Sequence, residues 1–339
     1  MKALQVNPAE FFPEDCGYDT SIPVLVTGGA GFIGSALVET LLLKGCKVRC
    51  LDNFSTGFFS NIEPFMSNPA FELIEGDLRN PEDCRKAVDG IGYIFHEAAL
   101  GSVPRSIADP ATSVAVNVSG TVNLFDAARQ AGVRRIVYAS SSSVYGDDTS
   151  KIKVEERTGK VISPYAATKA ACELFAENFI KVYSMEIVGL RYFNVFGMRQ
   201  NPNGAYAAVI PRFAQTLIEH KSPVINGDGS ISRDFTFIGN VVNANIRSMA
   251  VKEASGKVFN IGCSRSIDLN TLYTALRDEL AKFDPEIAGI EAVHGAERPG
   301  DVHFSLASVE AAKNILGYTP AYSFEKGIAI TAGCYWYNR

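Results

Sequence analysis

The chain has 339 residues, 47% of them hydrophobic and 20% charged, which is enough apolar sequence to bury a substantial core in one domain or two lobes. A net charge of −5 without any basic block argues against a nucleic-acid partner, and no apolar run approaches the length of a membrane span. Seven cysteines without a C-x-x-C pair and four scattered histidines lead us to expect reduced thiols, a cytoplasmic setting and no bound metal.

Residues 1–22 contain Pro8, Pro13 and Gly17, lack the basic-flanked apolar core of a signal peptide, and are expected to lie across the surface as an extension. Val24, Leu25, Val26 and Thr27 then read as a buried parallel strand. The strand runs into Gly28, Gly31 and Gly34, and an apolar-periodic helix over 35–43 follows. Glycines at that spacing allow a sharp turn, a close approach to a pyrophosphate and tight packing of the new helix. The anion then rests on open N–H groups at the helix N-terminus. The context between strand and helix makes this a dinucleotide site.

A second strand, 47–51, ends at Asp52, about 20 residues past the last glycine, where a carboxylate meets the adenosine ribose. Asp52 would accept from both ribose hydroxyls and repel a 2′-phosphate, which favours NAD over NADP. A third strand over 71–78 closes on Asp77 and Leu78, and a fourth over 91–96 ends at His96. Ala98 and Ala99 follow, small enough for a cofactor to lie across the sheet edge, and His96 reads as a packed strand-end histidine rather than a catalyst. A helix over 112–130 and a fifth strand over 135–140 complete the pattern. Strands alternating with helices through short connections predict an α/β fold, a Rossmann-type doubly wound parallel sheet. Ligands bind beyond the carboxyl ends of such strands, where Asp52, Asp77, Ala98, Ala99 and the run Ser140, Ser141, Ser142, Ser143 fall.

After about residue 195 proline and glycine become frequent and the segments shorten. The expected division is therefore an extension over 1–22, an NAD-binding domain over 23–195 and a smaller C-terminal mixed α/β substrate lobe over 196–339, with later segments returning to the first.

Pro164 opens a further helix on which Tyr165 and Lys169 stand at i and i+4, on one face. A phenol titrating near ~10 is a poor base, and an ammonium beside it favours the phenolate. Such a phenolate takes a proton from a sugar hydroxyl while a serine hydroxyl holds the same oxygen and hydride leaves the carbon for a nicotinamide.

With these motifs the sequence resembles, from residue 24 to about 318, the extended short-chain dehydrogenases/reductases, and within them the nucleotide-sugar epimerases. Leu100-Gly101-Ser102-Val103-Pro104-Arg105-Ser106, Arg191-Tyr192-Phe193-Asn194-Val195-Phe196-Gly197, Asn203-Gly204-Ala205-Tyr206-Ala207-Ala208-Val209-Ile210-Pro211 and Ser232-Arg233-Asp234-Phe235 are similar to the UDP-N-acetylhexosamine 4-epimerase branch. The resemblance implies tightly bound NAD, a UDP-hexose substrate and a homodimer through a four-helix bundle of helices 112–130 and 165–183. It makes Tyr165 the proton acceptor, Lys169 its partner and ribose ligand, and Ser141 the active-site hydroxyl, with Ser142, Ser143 and Ser102 near the sugar. It adds Phe32, Ile33, Asn53, Thr56, Gly57 and Ser140 to the cofactor site. The UDP moiety falls to Asn194, Ala208, Val209, Asn226, Arg233 and Arg298, and Asp301 orients Arg298 or the uridine ribose. A guanidinium binds two diphosphate oxygens at once, which suits both arginines to that task.

Departures from the pattern narrow the reaction. Ser142 and Ser143 stand where related dehydratases and decarboxylases carry an acid for work at C5, so oxidation at C4, rotation of the keto sugar and return of hydride is expected. Gly101 replaces a lysine found near the cofactor in common UDP-galactose 4-epimerases. Ser305 occupies the position that walls the hexose, and its size admits a 2-N-acetyl group, predicting UDP-GlcNAc and UDP-GalNAc as substrates. Relatives with the same loop act on UDP-GlcNAcA, and Arg105 is placed to meet that carboxylate. A UDP-uronic acid decarboxylase and a non-catalytic NAD-binding protein are the remaining readings.

Overall fold

In the computed structural model, residues 6–202, 207–296 and 304–339 are described. Apolar runs bounded by turn residues become short strands, and β1 (Val24–Thr27) is buried along its whole length. It is followed by β2 (Val48–Asp52), β3 (Phe71–Glu75), β4 (Tyr93–His96) and β5 (Arg135–Ser141). Then come β6 (Ile152–Lys153), β7 (Ile187–Tyr192), β8 (Val195–Phe196), β9 (Val224–Asn226) and β10 (Ser232–Asp234). The last are β11 (Thr236–Phe237), β12 (Val258–Ile261), β13 (Ser266–Asp268), β14 (Val293–Gly295) and β15 (Phe304–Ala307).

Seven strands form one parallel sheet in the order β12-β7-β5-β4-β1-β2-β3, the doubly wound arrangement expected. β12 joins its edge from far along the chain, as a returning segment. Smaller sheets, β13-β10-β15-β6 with the pairs β11-β8 and β14-β9, make up the C-terminal part.

The helices are α1 (Phe32–Leu43), α2 (Pro81–Val88), α3 (Val103–Ala108), α4 (Pro110–Val114), α5 (Gly120–Ala131), α6 (Pro164–Tyr183), α7 (Val209–Ile218), α8 (Ile238–Ala250), α9 (Leu269–Ala281) and α10 (Phe324–Tyr337). Alternate residues of β1 feed two cores. Val24 and Val26 join a large cluster with α1, α8 and the C-terminal elements, while Leu25 joins Leu124, Phe125 and Ala176 of α5 and α6 on the opposite face. Among the described residues no helix is long and apolar enough to cross a membrane.

Four expectations need adjustment. The first helix begins at Phe32, not at 35, because Gly31 is already extended and serves as its N-cap. The third strand stops at Glu75, where the Gly76 amide turns to the Asp52 carbonyl and the Asp77 amide to the Asp83 carboxylate. The helix expected over 112–130 is a single rod from α4 to α5 with a π-helical turn at Ala115–Ser119. The N-terminal extension does not merely cross the surface. Phe11 is 1% exposed, with its ring edge-on to Phe237 and Tyr322 at 6.0 and 5.5 Å, and Thr40 Oγ1 donates to the Pro8 carbonyl. Two adjacent phenylalanines bury more apolar area than a surface path would allow.

Candidate active site

The turn after β1 can only be made with glycine. Gly28 sits at φ +68°, and a Cβ there would stand 2.7 Å from the Ala98 Cα, so the chain following β4 passes directly over it. A Cβ at Gly34 would overlap the Gly28 carbonyl, so α1 starts as close to the turn as the backbone permits. The result is a cavity of about 350 Å³ at the carboxyl ends of β1, β2 and β4. It brings together the positions expected to hold the cofactor: Gly28, Gly31, Phe32, Ile33, Gly34, Asp52, Asn53, Thr56, Gly57, Asp77, Leu78, Ala98 and Ala99.

Asp52 is nearly sealed. Its Oδ2 accepts the Ala30 amide at 2.9 Å and its Oδ1 the Phe54 amide at 2.8 Å, which leaves each oxygen a lone pair for a ribose hydroxyl. Burial raises its pKa above the ordinary carboxylate value, and the three backbone hydrogen bonds only partly offset that. Asp77 is the opposite case. The Arg79 guanidinium holds it down to about 2, and Asn53 Nδ2 donates to it at 2.8 Å. A glycine cradle that any Cβ would fill, beside a carboxylate with spare lone pairs, fits a dinucleotide with free ribose hydroxyls.

His96 is a packed residue. Thr121 gives its proton to the Asn117 carbonyl, so His96 Nε2 donates to Thr121 Oγ1 at 2.9 Å and Nδ1 accepts from Thr27 at 2.7 Å. Burial pushes its pKa down to about 3 and keeps it neutral.

Pro164 and the Ser163 cap start α6, with the Ser163 hydroxyl accepting the Ala166 amide at 3.1 Å. The Tyr165 amide donates to Ser106 Oγ at 2.9 Å, and Lys169 Nζ, buried, donates to the Ala139 carbonyl of β5 at 2.7 Å. Thr168, between them on the helix, accepts from Asn117 Nδ2 at 3.0 Å. Asn117 also bonds both the amide and the carbonyl of Leu100, at 2.7 and 3.1 Å. The π turn thus pins the Leu100–Ser106 loop to the helix that carries Tyr165 and Lys169. Sequence reasoning missed both Asn117 and Ser106. Asn117 belongs to no motif, Ser106 only closes the Leu100–Ser106 motif without a role assigned to it, and tertiary contact alone reveals what either does.

At the end of β5, Ser141 Oγ accepts the Ser143 amide at 3.1 Å. Ser143 Oγ is sealed and finds no hydrogen-bond partner among the described residues, whereas Ser142 is half-buried. The hydroxyl of Ser140 donates to Glu173, so its one proton is spent there and its main chain is what it has left to donate to a cofactor. Glu173 in turn grips Arg191 through two bonds of 2.9 and 2.8 Å, and Arg191 also donates to the Tyr145 hydroxyl at 3.1 Å. Arg191 is therefore a buried strut between β7 and α6.

A second cleft of about 180 Å³ gathers Asn194, Val209, Asn226 and Arg233, four of the six positions expected to hold a UDP moiety, while Ala208 and the expected hexose-wall residue Ser305 are not among its lining. Arg212 and Phe213, which the motifs did not single out, line it as well. Their signal was their place one turn beyond Val209 on a helix opened by Ala208. Arg233 of β10 pairs in parallel register with Ser305 of β15. Asp234 holds that pairing. Its sealed carboxyl accepts the Cys263 amide at 2.8 Å and the Ala307 amide at 3.2 Å, and burial pushes it up to about 6. Asn194 takes a left-handed φ of +29° and donates to the Asp234 carbonyl. Ser102, at φ +90°, caps α3 and does not line this cleft. Arg298 and Asp301 lie outside the described residues. His220 proves not to be isolated, with Asp284 at 3.1 Å and Glu286 at 3.8 Å.

The profile of the NAD dependent epimerase/dehydratase family matches residues 24–262. A UDP-N-acetylglucosamine 4-epimerase from Methanobrevibacter ruminantium, solved with UDP-N-acetylmuramic acid, superposes with a TM-score of 0.88 at 36% identity, covering 94% of this chain and 99% of that one. A UDP-glucose 4-epimerase from Mycolicibacterium smegmatis is 35% identical over 91% of this chain and 96% of its own. UDP-glucuronate 4-epimerase 3 from Arabidopsis thaliana is 30% identical over 93% of this chain and 77% of its own.

Proposed function

The chain belongs to the NAD dependent epimerase/dehydratase family, and within its nucleotide-sugar 4-epimerases we propose that this protein interconverts UDP-GlcNAc and UDP-GalNAc. The observation that carries this reading is the parallel register of Arg233 with Ser305, since a cation suited to a diphosphate next to a small side chain favours a UDP-sugar with a bulky 2-substituent. The UDP-N-acetylglucosamine 4-epimerase from Methanobrevibacter ruminantium, matched over nearly its whole length, supports it.

Bound NAD supplies the one thing the side chains lack, a ring that takes hydride from C4 and returns it to the other face. Tyr165 removes the C4 hydroxyl proton in the first half and gives it back in the second. Lys169, anchored on the Ala139 carbonyl, keeps its ammonium one turn from that phenol. Ser141 holds the sugar oxygen. Neither Ser142 nor Ser143 can remove a proton from C5, so the keto sugar rotates between halves rather than losing water. Arg212, Arg233, Asn194, Asn226 and the first turn of α7 hold the UDP fixed while the keto sugar turns.

A second reading, the uronic acid UDP-GlcNAcA, draws support from Arg105. It sits on α3 one residue before Ser106, whose hydroxyl holds the Tyr165 amide. The seven free cysteines agree with a cytoplasmic enzyme. The same helices also leave apolar side chains uncovered, Ile107 and Leu174 at 64% and 66% exposure among them, which supports a homodimer through paired helices.

The test is to incubate the purified protein with UDP-GlcNAc and UDP-GlcNAcA separately and follow the anomeric signals by NMR. UDP-GalNAc is the expected product, formed without added reductant. Tyr165→Phe should lower kcat by roughly 10²–10⁴ while protein-bound nicotinamide is retained. Turnover of the acid alone would select the second reading.

A further inference from the structure

Glu97 follows β4 and lines the dinucleotide cavity, yet no step of the reaction uses it. Its amide donates to the Thr27 carbonyl at 3.2 Å, and its Oε1 accepts the Tyr192 hydroxyl at 2.8 Å. Asn245 Nδ2 of α8 donates to that same hydroxyl at 2.8 Å. Two oxygens in this group are sealed and unpartnered among the described residues: Oε2 of Glu97 and Oδ1 of Asn245. Both belong to side chains already bonded to one phenol. As an anion, Glu97 would be a shut-in charge with a single neutral hydrogen bond, and Asn245 Oδ1 would have no donor.

We propose that Glu97 works as a neutral acid in the floor of the dinucleotide cavity. Its Oε2 proton closes a ring of hydrogen bonds with Asn245 and Tyr192, and the hold on the cofactor is tied to that proton. In the ring Glu97 donates to Asn245, Asn245 to Tyr192 and Tyr192 back to Glu97, so each sealed oxygen has a partner. The ring joins the end of β4 to β7 and α8 and so fixes the Glu97–Ala98 backbone, against which Gly28 lies. Removing the proton leaves two acceptors facing each other and loosens the floor.

The charged group that bears on Glu97 is Lys169 of α6, whose ammonium favours the anion. Burial outweighs it and sets the carboxyl at about 7. The side chain facing it from β7 is Tyr192, with Asn245 of α8 behind, and neither carries charge at that pH. A proton bound more tightly in the cofactor complex than in the free protein makes affinity fall as pH rises through the free carboxyl's range. Glutamine at this position supplies the same donor permanently.

The inference rests on the family's NAD and not on which sugar is turned over. Dissociation constants for NAD should be measured by equilibrium dialysis on the full chain between about pH 6 and 9. Wild type should weaken at least about tenfold across that range, and Glu97→Gln should change less than about twofold while matching the wild-type affinity at the acid end. Tyr192→Phe should bind NAD weakly at every pH. Infrared spectra near pH 6, taken without cofactor, should show a protonated carboxyl C=O band in wild type that Glu97→Gln lacks. Equal pH slopes in wild type and Glu97→Gln, or no such band in wild type, would overturn the proposal.

Discussion

Ser305 stands one strand away from Arg233, at a point where the backbone register leaves little freedom for repositioning. Both strands are tied by the buried Asp234, so a bulky residue at 305 must project its extra volume into the space beside it rather than push the strand aside. Ser305→Tyr should lower kcat/KM for UDP-GlcNAc by about 100-fold and leave UDP-glucose within a few-fold, because only the acetylated sugar needs the added room. Steady-state rates on the two sugars read the ratio directly, and an equal loss on both would deny Ser305 its place in the hexose wall. At this scale sequence reading had clear limits. Gly28 and Asp52, singled out by their spacing, line one cavity, and Asn194 and Arg233, singled out by the motifs of the resemblance, line another. Glu97, Asn117 and Arg212 escaped because their roles depend on partners from other strands and helices. The bond from the Ser140 hydroxyl to Glu173, 33 residues away, was equally hidden, because membership of a serine run says nothing of a partner on another element.

The helix α6 has two duties, and its faces divide them. Toward the sheet it carries Lys169, Cys172, Ala176 and Phe179, all buried. Away from it, Leu174, Phe175, Val182 and Tyr183 remain at least a third exposed, beside Ile107 of α3 and Val114 of α4. A soluble monomer rarely leaves so many neighbouring apolar side chains in water. In a two-fold dimer each of these residues would be buried twice. Leu174→Glu places a charge in both copies of such an interface and should weaken association by on the order of 3 kcal/mol or more. Sedimentation equilibrium should then shift from the mass of two chains to that of one, with the circular dichroism of the folded chain kept. A wild-type protein that sediments as a single chain would remove the dimer from the account. In sequence, the start of α6 was legible from Pro164 and the i, i+4 spacing of Tyr165 and Lys169, and most of the rod from α4 to α5 from the helix expected over 112–130. The π turn was not, since Ala115–Ser119 has ordinary helical composition and widens only because Asn117 reaches across to Leu100.

At the scale of the whole molecule, the alternation of strands and helices was enough to indicate a doubly wound parallel sheet and five of its strands, β1 to β5, but not β7 or β12, which complete it to seven. The burial of Phe11 was not foreseeable, because nothing local in the sequence encodes a contact with Phe237 more than 200 residues away. One consequence of that long-range packing is a pH dependence centred where β1, β4 and α5 meet. His96 joins all three through Thr27 and Thr121, and burial holds it neutral to about pH 3. An unfolded histidine binds a proton near ~6.5, so below that pH the unfolded chain takes up a proton that the folded chain refuses. Stability from this group is therefore complete above about pH 6.5 and drains away as pH falls toward 3. Asp234 acts in the opposite direction, being protonated in the folded chain up to about 6, so its contribution is lost as pH rises from the ordinary carboxylate value. Because the two slopes oppose each other, wild type alone does not isolate either, but a comparison with His96→Gln does. Glutamine does not titrate, so the stability gap between wild type and His96→Gln should narrow by about 2 kcal/mol on going from pH 7.5 to pH 5. Urea unfolding of both proteins at the two pH values measures the gap, and a gap that stays constant would mean that His96 accepts a proton without leaving its site.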